Sequence, residues 1–222
     1  MPATTLLLSA RPPFVDEWHD LPATTARLGA LLTEIGVAHE TVWTLGEAIG
    51  RLPATALLVT NLTGRPGDPD PLASEWDAAI TAFADRGGSV LGVHSSSIAF
   101  AASPAWEAVL GGTWVPGVSG HPPIGNDLVT VQAAHPVTAG LDDFRLFDER
   151  YTGLRFADDG VVLVSHEHDG ERHSLVTVRR LAGGGHAVYD ALGHGTESYD
   201  SPEHRRLLGQ AVRWALETGE RS

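Results

Sequence analysis

The chain has 222 residues, 42% of them apolar, which suits one α/β domain with a substantial core. Fifteen basic against 28 acidic residues leave a formal charge of −13, which weighs against nucleic acid, whose phosphates need basic partners. There is no cysteine, so disulfides, thiolate metal sites and thiol nucleophiles are excluded, and no run approaches the ~18 apolar residues of a membrane span.

Thr4 to Ser9 is a short apolar run suited to a buried strand, not a signal peptide, because no basic segment precedes it. Leu28, Leu31, Leu32 and Ile35 recur at helical spacing, and Gly36 follows as a stop. Val37 to Trp43 and Ala54 to Asn61 read as the second and third strands, the latter ending in the turn-rich loop TGRPGDPDP. Ser74 with Asp77 resembles a capping box for a helix whose apolar face is Trp76, Ile80 and Phe83. Gly87 and Gly88 end that helix, and Ser89 to Val93 is the fourth strand, expected at the centre of the sheet. Apolar strands alternating with amphipathic helices imply a mostly parallel sheet covered on both faces. The second half is richer in strands: 127–132, 161–168, 174–181 and 186–192, with Gly183, Gly184 and Gly185 as a turn, suggest an antiparallel extension. Ser201 and Pro202 open a last helix whose apolar face is Leu207, Leu208, Ala211, Trp214 and Ala215. With no repeat or linker, residues 1–222 read as a single domain.

The segment GSVLGVHSSS (88–97) carries the clearest chemical signal. An apolar strand ends in a sharp turn that projects His94, and the small residues after it can start a helix whose N-terminus holds Ser95 and Ser96. Ligands of open α/β sheets bind beyond such strand ends. His194 ends the run GHAVYDAL in the same context. In FDERY (147–151), Asp148 and Glu149 sit beside Tyr151; adjacent side chains diverge, and Glu149 is favoured as the one facing the site. His19 and His121 are further candidates, and His135 is weaker. Each has a plain structural alternative: His94 and His194 as turn residues, Ser95 and Ser96 as caps, Glu149 as an ion-pair partner. His166, His168 and His173 are expected on a solvated hairpin, His39 and His204 at the surface, and His186 in a structural role.

In order and spacing, GGSVLGVHSSS, HPVTAGL (135–141), FDERY, YDALGH (189–194) and RWA (213–215) resemble the ThuA-like (trehalose-utilisation) family, and WHDLP (18–22) sets His19 after the first strand as in that family. The resemblance covers almost the whole chain. It implies the class I glutamine amidotransferase-like fold: a flavodoxin-like, three-layer (αβα) domain with a mostly parallel central sheet. It supports His94 and His194 as pocket residues; with the local patterns above, His94, His194 and Glu149 are the expected catalytic residues, and His19, Ser95, Ser96, Tyr151 and His121 the expected substrate-binding ones. Amidotransferases need a cysteine at the turn where this chain has His94, so glutaminase activity is excluded on chemical grounds. The leading expectation is action on a sugar or sugar derivative in the cytoplasm, with a small molecule as partner, neither nucleic acid nor membrane, and a homo-oligomer left open. A metal-dependent hydrolase or isomerase using the His/Glu cluster, with a divalent ion such as zinc as cofactor, is one alternative. A non-catalytic ligand-binding or subunit module is another; Tyr199, beside Ser95, Ser96, Glu149 and Tyr151, is a polar pocket candidate compatible with the sugar reading. A Ser-His hydrolase comes last, for want of GxSxG.

Overall fold

The computed structural model describes residues 4–11, 14–64, 72–100 and 103–217. Eleven strands follow in chain order: β1 (Thr4–Ser9), β2 (His39–Val42), β3 (Thr55–Asn61), β4 (Ser89–Val93), β5 (Gly112–Thr113), β6 (Gly125–Val131), β7 (Phe144–Asp148), β8 (Arg155–Phe156), β9 (Val161–His168), β10 (Glu171–Arg180) and β11 (His186–Asp190). The helices are α1 (Leu21–Glu34), α2 (Leu45–Arg51), α3 (Ala73–Asp85), α4 (Pro104–Leu110) and α5 (Pro202–Leu216).

The main sheet runs β2-β1-β3-β4-β11-β10-β9-β6-β7, and β5 pairs with β8 apart from it. Its first five strands are parallel, in the doubly wound order of flavodoxin-like folds. Strand β4 lies between β3 and β11, and every residue in it is buried, as a strand covered on both faces requires. Helix α1 packs on α5 over one face, and α2, α3 and α4 form the other layer. Trp76, Ile80 and Phe83 of α3, and Leu207, Leu208 and Ala211 of α5, join the buried core.

The C-terminal half departs from the parallel pattern. After the turn at 183–185, where Leu181 N–H donates to Gly185 O at 2.8 Å, β11 pairs antiparallel with β10 on one side and parallel with β4 on the other. Strand β6 touches β9 only through Thr130 and Val131; the rest of its length pairs with β7 alone. The β6–β7 hairpin thus forms an arm at the sheet's edge, with Val129, Phe144 and Leu146 buried against the core.

Several local expectations are corrected. The second strand is shorter, His39–Val42. Helix α3 begins one residue before Ser74, so Ser74 cannot cap it; its hydroxyl bonds Glu75, and Asp77 bonds Ser103. Residues 65–71 of the turn-rich loop lie outside the described residues. After β4 comes only a single 3-10 turn, His94–Ser97, so Ser95 and Ser96 do not sit at the N-terminus of a regular helix. His166 and His204 are buried, not solvated.

Candidate functional site

His94 follows directly on the buried run of β4 and takes φ +45°, a left-handed conformation uncommon outside glycine. The Tyr189 hydroxyl donates to His94 O at 2.9 Å and helps hold the turn. Nδ1 of the ring lies 2.8 Å from Ala191 O. A carbonyl only accepts, so Nδ1 carries the proton and Nε2, turned toward Glu149 and His194, is an acceptor in the neutral ring. Tyr151 stacks on the other side, with ring centroids 4.3 Å apart. Ser95 Oγ donates to Leu62 O at 3.2 Å and Ser96 Oγ to Thr60 O at 2.9 Å. Those buried hydroxyls tie the turn to the end of β3, and the structure does not bring them to the cleft.

His194 leaves the end of β11, the parallel neighbour of β4, so two strand ends set the rings side by side. Gly193 makes the turn possible at φ +111°; a Cβ there would come within 2.8 Å of Val93 and of the Tyr199 hydroxyl. Tyr199 itself is buried beneath this turn. The Asp148 carboxylate fixes the loop, accepting from Gly193 N at 2.7 Å, His194 N at 3.0 Å and Ser198 Oγ at 2.7 Å. Behind it, Ser198 Oγ lies 2.9 Å from His204 Nδ1, whose Nε2 lies 2.9 Å from Asp190 Oδ2. Asp148 therefore positions His194, while Glu149, next in sequence, faces the cluster.

His19 comes from the loop after β1, one residue before Asp20, which caps α1. Asp16 holds its Nδ1 at 2.8 Å. His19 Nε2 is buried and has no hydrogen-bond partner among the described residues. The chelating Asp16 went unread in the sequence, although the spacing DxxH is a local signal for it.

Glu149 Oε2 lies 3.4 Å from both His94 Nε2 and His194 Nδ1, which are themselves 3.3 Å apart. One ligand atom from each of His19, His94, His194 and Glu149 falls within 4.8 Å of the others. His121 Nδ1 reaches the second carboxylate oxygen, Oε1, at 3.2 Å. Burial, with His94 close by, pushes the His19 imidazole down to about 4 against the pull of Asp16. Burial alone would raise the Glu149 carboxyl, but the His194 and His94 rings outweigh it and hold Glu149 well below the carboxylate range. For His194, burial is outweighed by Glu149, and its pKa rises.

Beside His194 opens a cleft of about 520 Å³ lined by Trp18, Asp20, Ile124, Phe147, Asp148 and Glu197 among others. Trp18 is 63% exposed, Phe147 47% and Ile124 43%. Of the other histidines, His135 caps the turn at Pro136–Thr138, and His186 stacks on Trp214 at 4.1 Å; neither approaches the cleft. His166 Nε2 donates to Tyr151 O at 3.0 Å, fixing the residue that stacks on His94.

The family model described as ThuA, trehalose utilisation, matches residues 16–215. A ThuA-like protein of Parabacteroides merdae superposes with TM-score 0.81 at 18% identity, covering 98% of this chain and 91% of that one. A glutamine amidotransferase of Thermotoga maritima gives 0.53 at 16% identity, covering 99% and 90%. A β-galactosidase of Bacillus circulans gives 0.61 at 10% identity, covering 96% of this chain and 30% of that one. No curated protein sequence matches the chain. The structural likenesses fix the fold, an α/β architecture shared by ThuA-like and amidotransferase-like structures.

Proposed function

This chain belongs to the ThuA family, and from that premise we propose that it acts on a sugar or sugar derivative in carbohydrate utilisation, in the cytoplasm and without glutaminase activity. The observation that carries the reading is the cleft against His194. Its volume falls in the range of small-ligand sites. Exposed Trp18, Phe147 and Ile124 offer apolar faces for a sugar ring, while Asp20 and Glu197 offer acceptors for hydroxyl groups. A hydroxyl laid against His194 meets a ring already coupled to Glu149 and His94, the groups assigned the catalytic role. The strand-end turn holds His94 in place of a thiol, so no glutamyl thioester can form there.

A thermal-shift series with neutral mono- and disaccharides, trehalose included, tests the reading. A sugar at 100 times its Kd adds about 2.7 kcal/mol. At about 2–4 °C per kcal/mol for a chain of this size, that is a rise of about 5–10 °C in Tm. The rise should shrink in Trp18→Ala. No shift with any sugar, together with unchanged Trp fluorescence, overturns it.

A further inference from the structure

The geometry points to a divalent transition-metal site built by His19 Nε2, His94 Nε2, His194 Nδ1 and Glu149 Oε2, which goes beyond the sugar reading and stands without it. Three separate observations carry the inference. First, three of the donors form a triangle with sides of 3.3, 3.4 and 3.4 Å. Metal–ligand bonds of about 2.0–2.1 Å in tetrahedral geometry place neighbouring donors about 3.4 Å apart. The triangle is thus one face of a tetrahedron around an ion of zinc size. At these lengths the contacts are poor hydrogen bonds.

Second, His19 supplies the fourth direction. Its side chain is only 7% exposed, and its buried Nε2 meets no partner of its own among the described residues. Leaving a buried polar atom unmatched is costly and calls for an unseen partner at that spot.

Third, two of the rings are fixed from behind as metal-bound histidines are. Asp16 holds His19 Nδ1 at 2.8 Å, and Ala191 O accepts from His94 Nδ1 at 2.8 Å. Both outer partners are acceptors, so both protons point away from the cluster and both Nε2 lone pairs point into it. His94 Nε2 then faces the Glu149 carboxylate, acceptor against acceptor, at 3.4 Å. A cation at the centre satisfies all of them at once. Imidazole and carboxylate donors suit zinc, manganese or cobalt, and four of them complete a tetrahedral shell.

The test uses the full chain without a histidine tag, stripped with EDTA and titrated separately with zinc, manganese and cobalt by calorimetry. We expect one ion per chain, and for cobalt the visible absorption of a low-coordinate site. His19→Ala and Glu149→Gln should each weaken affinity at least tenfold, and Asp16→Ala about 10–100-fold through its hold on His19. His135→Ala, which changes only a distant turn cap, should bind as wild type. His19 lies in a loop, so His19→Ala keeps the test readable if a buried ligand variant fails to fold, and far-UV circular dichroism checks each variant. No stoichiometric uptake of any of the three ions, or wild-type affinity in both His19→Ala and Glu149→Gln, overturns the inference. Because no sugar enters the experiment, its failure leaves the sugar reading untouched, and the reverse also holds.

Discussion

His94 combines a left-handed backbone with a buried ring wedged between Tyr151 and the backbone of Ala191. A cleft-facing side chain would be cheap to remove, but this one is 2% exposed. His94→Ala should therefore cost about 2–3 kcal/mol, from lost packing and from a β-carbon residue with nothing to favour φ > 0. His94→Asn should cost clearly less, because Asn tolerates that conformation and its amide can still donate to Ala191 O. Urea denaturation of both variants checks this; equal losses would show that the left-handed turn stores no strain. The strand-end positions of His94 and His194 were legible because turn chemistry is local. His204 was misread, although it lies four residues before Leu208 and seven before Ala211, on the apolar stripe of α5. Its polarity hid a place that periodicity gave away. His166 failed for another reason: it sits in a strand buried on both faces, where alternation gives no warning.

At the scale of elements, the buried pair His204–Asp190 fastens α5 to β11, and through Ser198 and Asp148 it reaches the loop of His194. Burial lowers the His204 pKa, but Asp190 raises it more, so the folded value lies above the ordinary 6.5. The folded chain thus holds this proton more tightly than the unfolded one. The resulting stability is fully present below about pH 6.5 and is lost as pH rises through the folded value. His204→Asn should cost about 3–5 kcal/mol at pH 6, the usual penalty for stranding one partner of a buried pair. The gap from wild type should narrow steadily toward pH 9. A gap constant across that range would mean that His204 is neutral in the folded chain. This network was invisible in the sequence, because its members come together only when β7, β11 and α5 pack. The parallel half of the sheet was legible for the opposite reason, since each strand and its helix announce themselves within a short window. Helix α2 was missed despite its Thr44–Glu47 capping box, for it is short and its buried face is only Leu45 and Ala48.

Across the whole molecule, β7 would stand about 24 Å from β4 if the five spacings between them lay flat. Glu149 nevertheless reaches within 3.4 Å of His94. The arm of β6 and β7 closes that distance: its backbone ladder to the main sheet is short, at Thr130 and Val131, and Asp148 at its end is tied to the loop after β11. With β7 paired on one side only, the arm has fewer backbone bonds to lose than the central strands. Hydrogen exchange should therefore run faster along 125–129 and 144–148 than along β4, β10 and β11. An ion bridging Glu149 to the histidines would slow it selectively, since opening would then break a coordinate bond. Exchange in the arm as slow as in β4, with or without zinc, would contradict this. Glu149 is carried by the edge of the sheet, so breathing of the arm, not of the parallel strands, sets how often the four-residue cluster is complete.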